Sequence, residues 1–343
     1  MKRILLITLV LVVAMAVSAD AFTFTRRQVT TSELKQTNPV MSGSSVYWKQ
    51  LYSGSESNIW RQDVQTGHEQ PVVERLGEKT PIAASGDYLV YHEYKDETNW
   101  YDTGIYNSAT GEDKVIASGP ESQVAQDIWG NRVIYNTGDT WPDLYLYDIA
   151  TGETSFVASE AIRPRIWGDN IAYIKSYGSG YSTIEVYNLA TGVTTQVPTT
   201  NDHNQTLPDI YQDKVVWSGL NDNLGIFYRN LTSGEERKIS DSGQLPVVWG
   251  DFIAWSQDDG SGLYDIYAHN LISGETQKVS GDAKTSGWEP YGAPYLYENT
   301  VLWTSGVSNG YGNIFAAELS VPEPSSLIVL GVFLTPLLFR RRR

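Results

Sequence analysis

The sequence contains no cysteine, which excludes disulfides, a thiol nucleophile and any cysteine-ligated metal site. Basic residues are also few: 25 Lys and Arg stand against 40 Asp and Glu, for a formal net charge of −15. An acidic surface repels phosphate backbones, so we expect no nucleic-acid partner. The G-x-S-x-G turn that carries the nucleophile of many serine hydrolases is absent as well. These absences remove several classes of enzyme and of binding protein.

Aromatic residues, in contrast, are abundant, with 22 Tyr and 11 Trp, and they fall in a repeated pattern. The stretch from Leu207 to Ser240 shows one unit of it. Two apolar runs (Pro208–Tyr211 and Lys214–Trp217) are followed by a polar loop, a third run (Gly225–Leu231), a Ser-Gly turn and a short polar segment. Four runs of this length, separated by turn residues, predict a four-stranded antiparallel meander.

Three markers repeat this unit in one phase along the chain. A Thr-Gly or Ser-Gly turn recurs every 40 to 44 residues, with its glycine at Gly67, Gly111, Gly152, Gly192, Gly234 and Gly274. An Asp or Asn precedes each glycine by four residues, at Asp63, Asn107, Asp148, Asn188, Asn230 and Asn270. An aromatic residue ends the second run at Trp48, Tyr91, Tyr135, Tyr173, Trp217, Trp255 and Trp303. An Asx side chain can bond the backbone of the turn, and Gly can adopt positive φ there. A period of about 40 residues with four strands per unit indicates an all-β fold, the β-propeller.

Counting the units predicts seven blades. Their spans are 38–80, 81–122, 123–160, 161–200, 205–243, 244–285, and 288–320 completed by 23–30. The last unit lacks a fourth strand, and Thr25–Thr30 resembles the fourth strands of the other units. We therefore expect the N-terminal strand to complete the last blade, which removes the open edge of the array. A six-bladed ring with an irregular end is the alternative.

The two terminal segments differ from the repeats. Residues 1–21 combine a basic start (Lys2, Arg3), an apolar run and an A-x-A site at Ala19–Ala21, which is typical of a secretory signal peptide. A retained membrane anchor is the alternative. The domain organisation is then a signal peptide over 1–21, a propeller over 22–320 and a separate segment over 321–343.

The C-terminal segment carries three elements in order. They are Val321, Pro322, Glu323 and Pro324, then the apolar run 327–339, then Arg340, Arg341, Arg342 and Arg343. The order and spacing resemble a PEP-CTERM sorting signal. That resemblance implies an exosortase as processing partner, a transmembrane helix that anchors the precursor, and delivery to the cell surface or extracellular matrix. The arginines hold their end on the cytoplasmic side and leave the folded part outside. A plain C-terminal tail anchor is the alternative.

The repeat units resemble those of TolB-type propellers, whose turn reads hydrophobic-Tyr-Asp/Asn-Leu-x-Thr-Gly. The resemblance covers most of residues 38–320. It implies the fold and leaves the function open, because such propellers include scaffolds, binding modules and some polysaccharide lyases.

A propeller has two faces. We call the side of the Thr-Gly turns the turn face. The opposite side is the loop face, formed by the loops between second and third strands and between blades. Its loops are predicted at 52–58, 95–103, 137–143, 176–182, 218–224, 257–265 and 305–312. They carry the candidate binding aromatics Trp100, Tyr101, Trp141, Tyr177, Tyr181 and Tyr311. Exposed rings beside small polar residues are suited to stacking on sugars or peptides; packing against neighbouring blades is the other interpretation.

Catalytic or metal-binding patterns are sparse. The four histidines, His68, His92, His203 and His269, fall in four different units with no shared spacing, whereas a ligand cluster needs convergence. His92 and His203 are predicted to reach the loop face. Asp258, Asp259 and Asp265, near Gly260 and Gly262, resemble a calcium loop in composition but lack the EF-hand order. Asx/Gly hairpin loops explain the same residues.

The sequence therefore predicts an exported, non-enzymatic propeller that binds polysaccharide or a surface protein and needs no cofactor. Calcium bound by the Asp258–Asp265 loop is the alternative to that last point. A metal-dependent polysaccharide lyase and a structural component of a biofilm matrix are the alternatives.

Overall fold

The computed structural model describes residues 21–52, 56–95, 97–138, 141–176, 182–198, 205–219, 224–285, 293–306 and 312–321. They form seven antiparallel sheets of four strands each. The first strand of each sheet contacts the first strand of the next, and that of the seventh contacts that of the first. The sheets therefore close into a ring, and the predicted seven-bladed propeller is confirmed; the six-bladed alternative is wrong.

Each blade contributes one strand to each of four concentric positions. The innermost strands are β2 (Gln36–Ser42), β6 (Glu78–Ser85), β10 (Gln123–Trp129), β14 (Ala161–Trp167), β18 (Gln205–Tyr211), β22 (Gln244–Trp249) and β26 (Tyr295–Tyr297). The second strands are β3 (Ser45–Leu51), β7 (Tyr88–Lys95), β11 (Arg132–Thr137), β15 (Asn170–Ser176), β19 (Lys214–Gly219), β23 (Phe252–Asp258) and β27 (Thr300–Ser305).

The outer half of each blade follows the same order. The third strands are β4 (Ser57–Asp63), β8 (Trp100–Asn107), β12 (Asp143–Asp148), β16 (Ser182–Asn188), β20 (Gly225–Asn230), β24 (Tyr264–Asn270) and β28 (Asn313–Ser320). The outermost strands are β5 (Glu69–Val73), β9 (Asp113–Ala117), β13 (Thr154–Ala158), β17 (Val193–Gln196), β21 (Glu236–Ser240), β25 (Thr276–Lys278) and β1 (Thr23–Gln28). The innermost strands of the first two blades begin at Gln36 and Glu78, slightly before the predicted blade starts at 38 and 81.

The ring is closed by the N-terminal strand, as predicted. β1 pairs antiparallel with β28, from Thr23 opposite Ser320 to Gln28 opposite Phe315. The strand begins at Thr23, the first residue of the predicted span 23–30, and it is extended by a hydrogen bond from the N–H of Val29 to the carbonyl of Ile314. The last blade is therefore built from the two ends of the repeat region.

The turn face is uniform, and its predicted chemistry is confirmed. In all six Thr/Ser-Gly turns the Asx side chain accepts a hydrogen bond from the N–H of the Thr or Ser; Asp148 Oδ1, for example, accepts from Thr151 at 3.1 Å. The six glycines have φ between 68° and 76°, a region that other residues reach only at a cost. Local chemistry alone therefore fixes these turns.

The core lies between and within the blades. The marker aromatic on the second strand is directly opposite an aromatic on the third strand in five blades, and the rings are stacked with centroids 5.8 to 6.5 Å apart. Trp48, Trp255 and Trp303 are completely buried by this arrangement. Blades 2 and 4 differ, because Tyr91 is opposite Gly104 and Tyr173 is opposite Glu185.

Six of the seven innermost strands have a register shift at the same place, which ends three residues before the positive-φ residue of the turn into the second strand. In four of them the residue before a proline has positive φ: Asn38, Arg163, Leu207 and Leu245. A bulge of this kind changes which side chains point inward. The bulges therefore decide what faces the central axis.

The predicted signal peptide and sorting segment lie outside the described residues, apart from Ala21 and Val321. Across residues 21–321, as far as they are described, no helix is long and apolar enough to cross a membrane.

Candidate functional site

Three of the six predicted binding aromatics are described: Trp100, Tyr101 and Trp141. Tyr177, Tyr181 and Tyr311 lie outside the described residues. Trp141 is 53% exposed in the segment between β11 and β12, as predicted for a loop-face aromatic. Trp100 and Tyr101 were predicted to lie in a loop, but they are the first residues of β8.

The reason is cross-strand pairing. Trp100 is opposite Lys95 and Tyr101 is opposite Tyr94, so β7 and β8 extend further toward the loop face than the polar residues between them suggest. The connection is closed at Asn99, whose N–H donates to the carbonyl of Lys95 at 2.9 Å. The aromatic residues are therefore held by a sheet and not by a free loop.

Tyr101 is the centre of an aromatic cluster in blade 2. Its ring centroid is 4.8 Å from that of His92 and 5.1 Å from that of Tyr94. Tyr94 donates its hydroxyl hydrogen bond to Asn99 Oδ1 at 2.8 Å. The buried Ser122, which precedes β10, lies next to this cluster: its hydroxyl accepts from the N–H of Tyr101 at 3.5 Å.

The same Ser122 connects the cluster to blade 3. Its carbonyl accepts a hydrogen bond from the N–H of Gly138 at 3.2 Å, at the start of the segment that carries Trp141. Trp100, Tyr101 and Trp141 thus lie on neighbouring parts of the loop face. We call this set, together with Tyr94 and His92, the blade 2–3 aromatic patch.

Below the patch, blade 2 contains a network of ion pairs that sequence reasoning missed. Glu93, with its side chain 4% exposed, is 3.2 Å from Arg75 and 3.2 Å from Lys95. Arg75 also pairs with Asp113 at 3.0 Å, and both reach the hydroxyl of Tyr91. Burial and the hydrogen bond to Asp113 raise the pKa of Tyr91.

One sequence signal points to this network. Five blades have an aromatic opposite the marker residue, but blade 2 has Gly104 there. A side chain at Gly104 would overlap the ring of Tyr91. Because Gly104 has no side chain, the Tyr91 ring can lie against it. The Tyr91 hydroxyl then reaches the charged network.

The histidines do not converge in the described part of the chain. His68 follows a turn-face glycine, His92 lies in β7 against Tyr101, and His269 lies in β24 with Nδ1 2.9 Å from the hydroxyl of Thr276. Burial lowers the pKa of both His92 and His269 to about 4. His203 is outside the described residues, and among the described ones no group of three or more His, Asp or Glu could hold a metal ion.

The candidate calcium ligands are already engaged by protein groups. Asp258 Oδ1 accepts a hydrogen bond from the N–H of Gly260, and Asp259 Oδ1 accepts one from the N–H of Ser261, both at 2.8 Å. Asp259 is also paired with Lys284, which lowers its pKa. Asp265 is buried, accepts from the hydroxyl of Ser280 at 3.1 Å and lies 3.4 Å from Lys278. This is the geometry of Asx-stabilised hairpins, in which lysines already balance two of the three carboxylates.

A second candidate site is the central channel, a cavity of about 460 Å³ lined by the seven innermost strands. Residues two apart on a strand point to the same side and are about 6.6 Å apart. Each strand therefore contributes two inward layers. The layer nearer the turn face is aromatic in five blades: Trp129, Trp167, Tyr211, Trp249 and Tyr297. We call these five residues the channel floor.

The floor residues pack on one another. The ring centroid of Trp129 is 4.8 Å from that of Trp167 and 6.0 Å from that of Trp249, on the far side of the channel. Tyr211 lies 5.3 Å from Trp167 and 5.1 Å from Trp249, which makes a closed cycle of four rings. Tyr297 extends the floor from Trp249 at 4.8 Å.

The second layer, two residues earlier on each strand, carries three charges in adjacent blades: Asp127, Arg165 and Asp209. Asp127 Oδ2 accepts from the N–H of Ile166 at 2.9 Å, and Asp209 Oδ2 accepts from the N–H of Val248 at 2.7 Å. Burial raises the pKa of Asp127, and raises that of Asp209 to about 6, while Arg165 opposes both shifts.

Tyr295 of the seventh blade belongs to the same layer. Burial raises the pKa of its hydroxyl, and the carboxylate of Asp127 raises it further. Sequence reasoning did not single out any of these four residues. An alignment of the repeats would have found them, because all four occupy the same position, two residues before the end of the innermost strand.

No protein-family model matches the chain, and no curated protein matches it. Solved structures do match. An oligogalacturonate lyase in complex with manganese is 15% identical and has a TM-score of 0.64, over 87% of this chain and 96% of the other. The β-propeller domain of the Trilobed protease from Pyrococcus furiosus is 10% identical, with a TM-score of 0.64 over 88% and 99%. TolB from Acinetobacter baumannii is 14% identical, with a TM-score of 0.52 over 78% of each chain. At these identities the likeness establishes the fold: the chain is a seven-bladed β-propeller whose structural neighbours include TolB, a lyase and a protease.

Proposed function

We propose that this protein is a non-enzymatic binding module that engages polysaccharide or a surface protein through the blade 2–3 aromatic patch. The observation that carries the proposal is that the exposed Trp141 and the sheet-held Trp100 and Tyr101 lie at the loop-face ends of two neighbouring blades, which are joined through hydrogen bonds to Ser122. Large rings held by a sheet lose little conformational freedom on binding. They are suited to stacking on the flat faces of sugar rings or on peptide side chains.

The polar groups around the patch fit the same role. Asn99 and Asp102 flank Trp100 and Tyr101, and both have oxygen atoms that accept hydrogen bonds from hydroxyl groups. Burial raises the pKa of Asp102. The strongly acidic composition of the chain favours neutral or cationic partners over anionic ones.

We also propose that the protein is exported and sorted to the cell surface or extracellular matrix. The support is in the sequence: a signal-peptide pattern over 1–21 and a PEP-CTERM-like pattern over 321–343. In this proposal an exosortase cuts near Pro322–Pro324, after the apolar run has held the precursor in the membrane. Mass spectrometry of the secreted protein tests it: a mature C-terminus before Leu327 supports it, and a mature chain that ends at Arg343 contradicts it.

A metal-dependent polysaccharide lyase is the second candidate, favoured by the structural likeness to the oligogalacturonate lyase with manganese. The distribution of His68, His92 and His269 over three blades supports the non-enzymatic proposal instead. Incubating the full chain with oligogalacturonate and Mn²⁺ distinguishes the two, since release of shorter products would replace the binding proposal. A purely structural matrix component, the third candidate, would bind no discrete ligand.

The binding proposal is tested on a glycan array with the full chain, with and without Ca²⁺ and Mn²⁺. The test variant is Trp100→Ala with Trp141→Ala, and the matched control is Phe156→Ala. Phe156 is an aromatic residue 56% exposed on the outermost strand β13, away from the patch. We expect the double variant to lose at least tenfold in affinity while the control is unchanged. Unchanged binding by the double variant, or equal loss in the control, would contradict the proposal.

A further inference from the structure

We propose that the central channel is a second, separate site that binds a small organic cation of the amino-alcohol type. Its ammonium group is held beside Asp127 and Asp209, and its carbon skeleton lies against the channel floor. This site is built from the innermost strands and does not depend on the loop-face aromatic patch. The two proposals can therefore fail independently.

The charge next to the channel floor favours a cation. In that layer Asp127 and Asp209 carry two negative charges and Arg165, between them in the order of the blades, carries one positive charge. A second arginine, Arg163, lines the cavity two residues earlier on the same strand, farther from the floor. The net charge of the layer that borders the floor is therefore negative, in a chain whose formal charge is −15. A narrow cavity with walls of low polarity strengthens the attraction between such a layer and a cation.

The carboxylates have capacity for a ligand. An ionised carboxylate can accept about four hydrogen bonds. Asp127 accepts from the backbone N–H of Ile128 and of Ile166. Asp209 likewise accepts from the N–H of Val248, at 2.7 Å, and from that of Ile210. These bonds orient both groups and leave acceptor positions for an ammonium group.

The channel floor supplies the complementary apolar surface. Its four-ring cycle of Trp129, Trp167, Tyr211 and Trp249 presents the π systems that attract organic cations. In addition, Nε1 of Trp167 is buried and has no hydrogen-bond partner within the described residues. Buried donors normally have a partner, and the hydroxyl of an amino alcohol would accept this hydrogen bond.

The fold itself does not require these charges. The equivalent position lies two residues before the end of each innermost strand. In blades 1, 2 and 6 it is occupied by Val40, Ala83 and Val247. Those blades pack into the same ring with apolar side chains at this level. The charged residues are therefore confined to one side of the channel, where they face a cavity of about 460 Å³, within the range of about 300–1,000 Å³ usual for ligand sites.

Calorimetry on the full chain tests the proposal with three probes, of which choline and its neutral analogue have the same size and shape. Choline and ethanolamine carry the cation and the hydroxyl, and 3,3-dimethyl-1-butanol is the neutral carbon analogue of choline. We expect at least one of the two cations to bind and the neutral analogue to bind at least tenfold more weakly. Equal binding of choline and the neutral analogue, or no heat from either cation at millimolar concentration, would overturn the proposal.

Variants identify the site. Asp127→Asn with Asp209→Asn keeps an acceptor for the backbone N–H groups and removes both charges, and we expect at least a tenfold loss of affinity. Asp148→Asn is the matched control, because it makes the same change at a turn-face position where four other blades already have Asn. Unchanged affinity in the double variant would overturn the proposal.

A third variant should raise the affinity for the cation, a result that a folding defect could not produce. Arg165→Gln removes the positive charge and makes the layer more negative, so the cation should bind more tightly. Weaker binding by a folded Arg165→Gln protein, checked by circular dichroism, would overturn the proposal as well.

Discussion

Blades 2 and 6 have the same four strands but use their central position differently. In blade 6 the ring of Trp255 stacks on that of Tyr267, with centroids 5.8 Å apart and planes 13° from parallel. In blade 2 the equivalent Tyr91 is opposite Gly104, and its hydroxyl reaches Arg75 and Asp113. Blade 6 thus stacks a partly buried ring on a buried one, where blade 2 places one ring and a network of charges.

This difference shows which contacts stabilise the propeller as a whole and which are specific to blade 2. The stacked pair recurs in five blades and belongs to the fold. The departure in blade 2 lies next to the aromatic patch on the loop face. A repeat protein can afford such a departure in one blade because the neighbouring blades supply most of the packing.

The largest effect is expected from removing a repeated ring. Trp255→Ala deletes a completely buried side chain between blades 5 and 6, and truncations of this kind cost about 3–5 kcal/mol. Urea unfolding measures it. Trp141→Ala is the control, because that side chain is 53% exposed and should change stability by no more than about 0.5 kcal/mol. Equal losses in the two variants would contradict the assignment of Trp255 to the core.

A smaller loss is expected when blade 2 is made more like the others. Gly104→Ala places a methyl group where the ring of Tyr91 lies, and such overpacking costs about 1–3 kcal/mol. Gly119→Ala is the control, because its added methyl would meet only the end of the flexible Gln123 side chain, at 3.3 Å. A Gly104→Ala protein as stable as the wild type would show that Tyr91 can move without cost.

The two blades should also respond alike to acid, through His92 in blade 2 and His269 in blade 6. Burial lowers the pKa of each from 6.5 to about 4, with Lys49 and Arg237 adding to the respective shifts. Because the pKa is lower in the folded protein, the unfolded chain binds the proton at a higher pH than the folded one does. The stability that each neutral imidazole contributes is therefore full above about pH 6.5 and is lost as the pH falls through 4.

Asp209 changes the pH dependence of stability in the opposite direction, so a histidine variant has to be compared with the wild type to isolate the effect of one histidine. The pKa of Asp209 is raised by burial to about 6, so its contribution is present in acid and is lost as the pH rises through 6. Between pH 7 and 4 the free energy of unfolding should fall less in the His269→Gln protein than in the wild type, by on the order of 2 kcal/mol. A His269→Gln protein whose stability falls with acid as steeply as that of the wild type would contradict the burial of a neutral His269.

The fold could be predicted from the sequence because its signals are local and repeated. The Asx and glycine of each turn determine one tight turn whatever surrounds them, and the phase of these turns gives the number of blades. The closure by β1 followed from a missing strand at one end of the repeats and a spare one at the other. Each of these inferences needed only neighbouring residues or a count.

The sites were harder to predict because they depend on pairing between distant residues. Asp and Asn between Lys95 and Thr103 suggested a loop, but the pairing of Tyr94 with Tyr101 extends the sheet through Trp100. In the channel, the register shift found in six of the seven innermost strands decides which side chain points inward, and a shift by one residue reverses the sides. Without the bulges, the inward position of Asp127 and Asp209 could not be assigned.

The smallest effect should be found where blades 2 and 6 are the same, on the turn face. Asn107 Oδ1 accepts from the N–H groups of Ala109 and Thr110, and Asn270 Oδ1 accepts from those of Ile272 and Ser273, at 2.9 to 3.2 Å. Replacing either Asn by Ala removes the same two hydrogen bonds and should cost about 1 kcal/mol. Asn270 is buried and Asn107 only partly buried, so thermal unfolding should give shifts of similar size, with the larger one for Asn270→Ala. A clearly larger shift for Asn107→Ala would mean that blade 2 departs from the repeat on both faces, and the special role of its loop-face half would no longer stand.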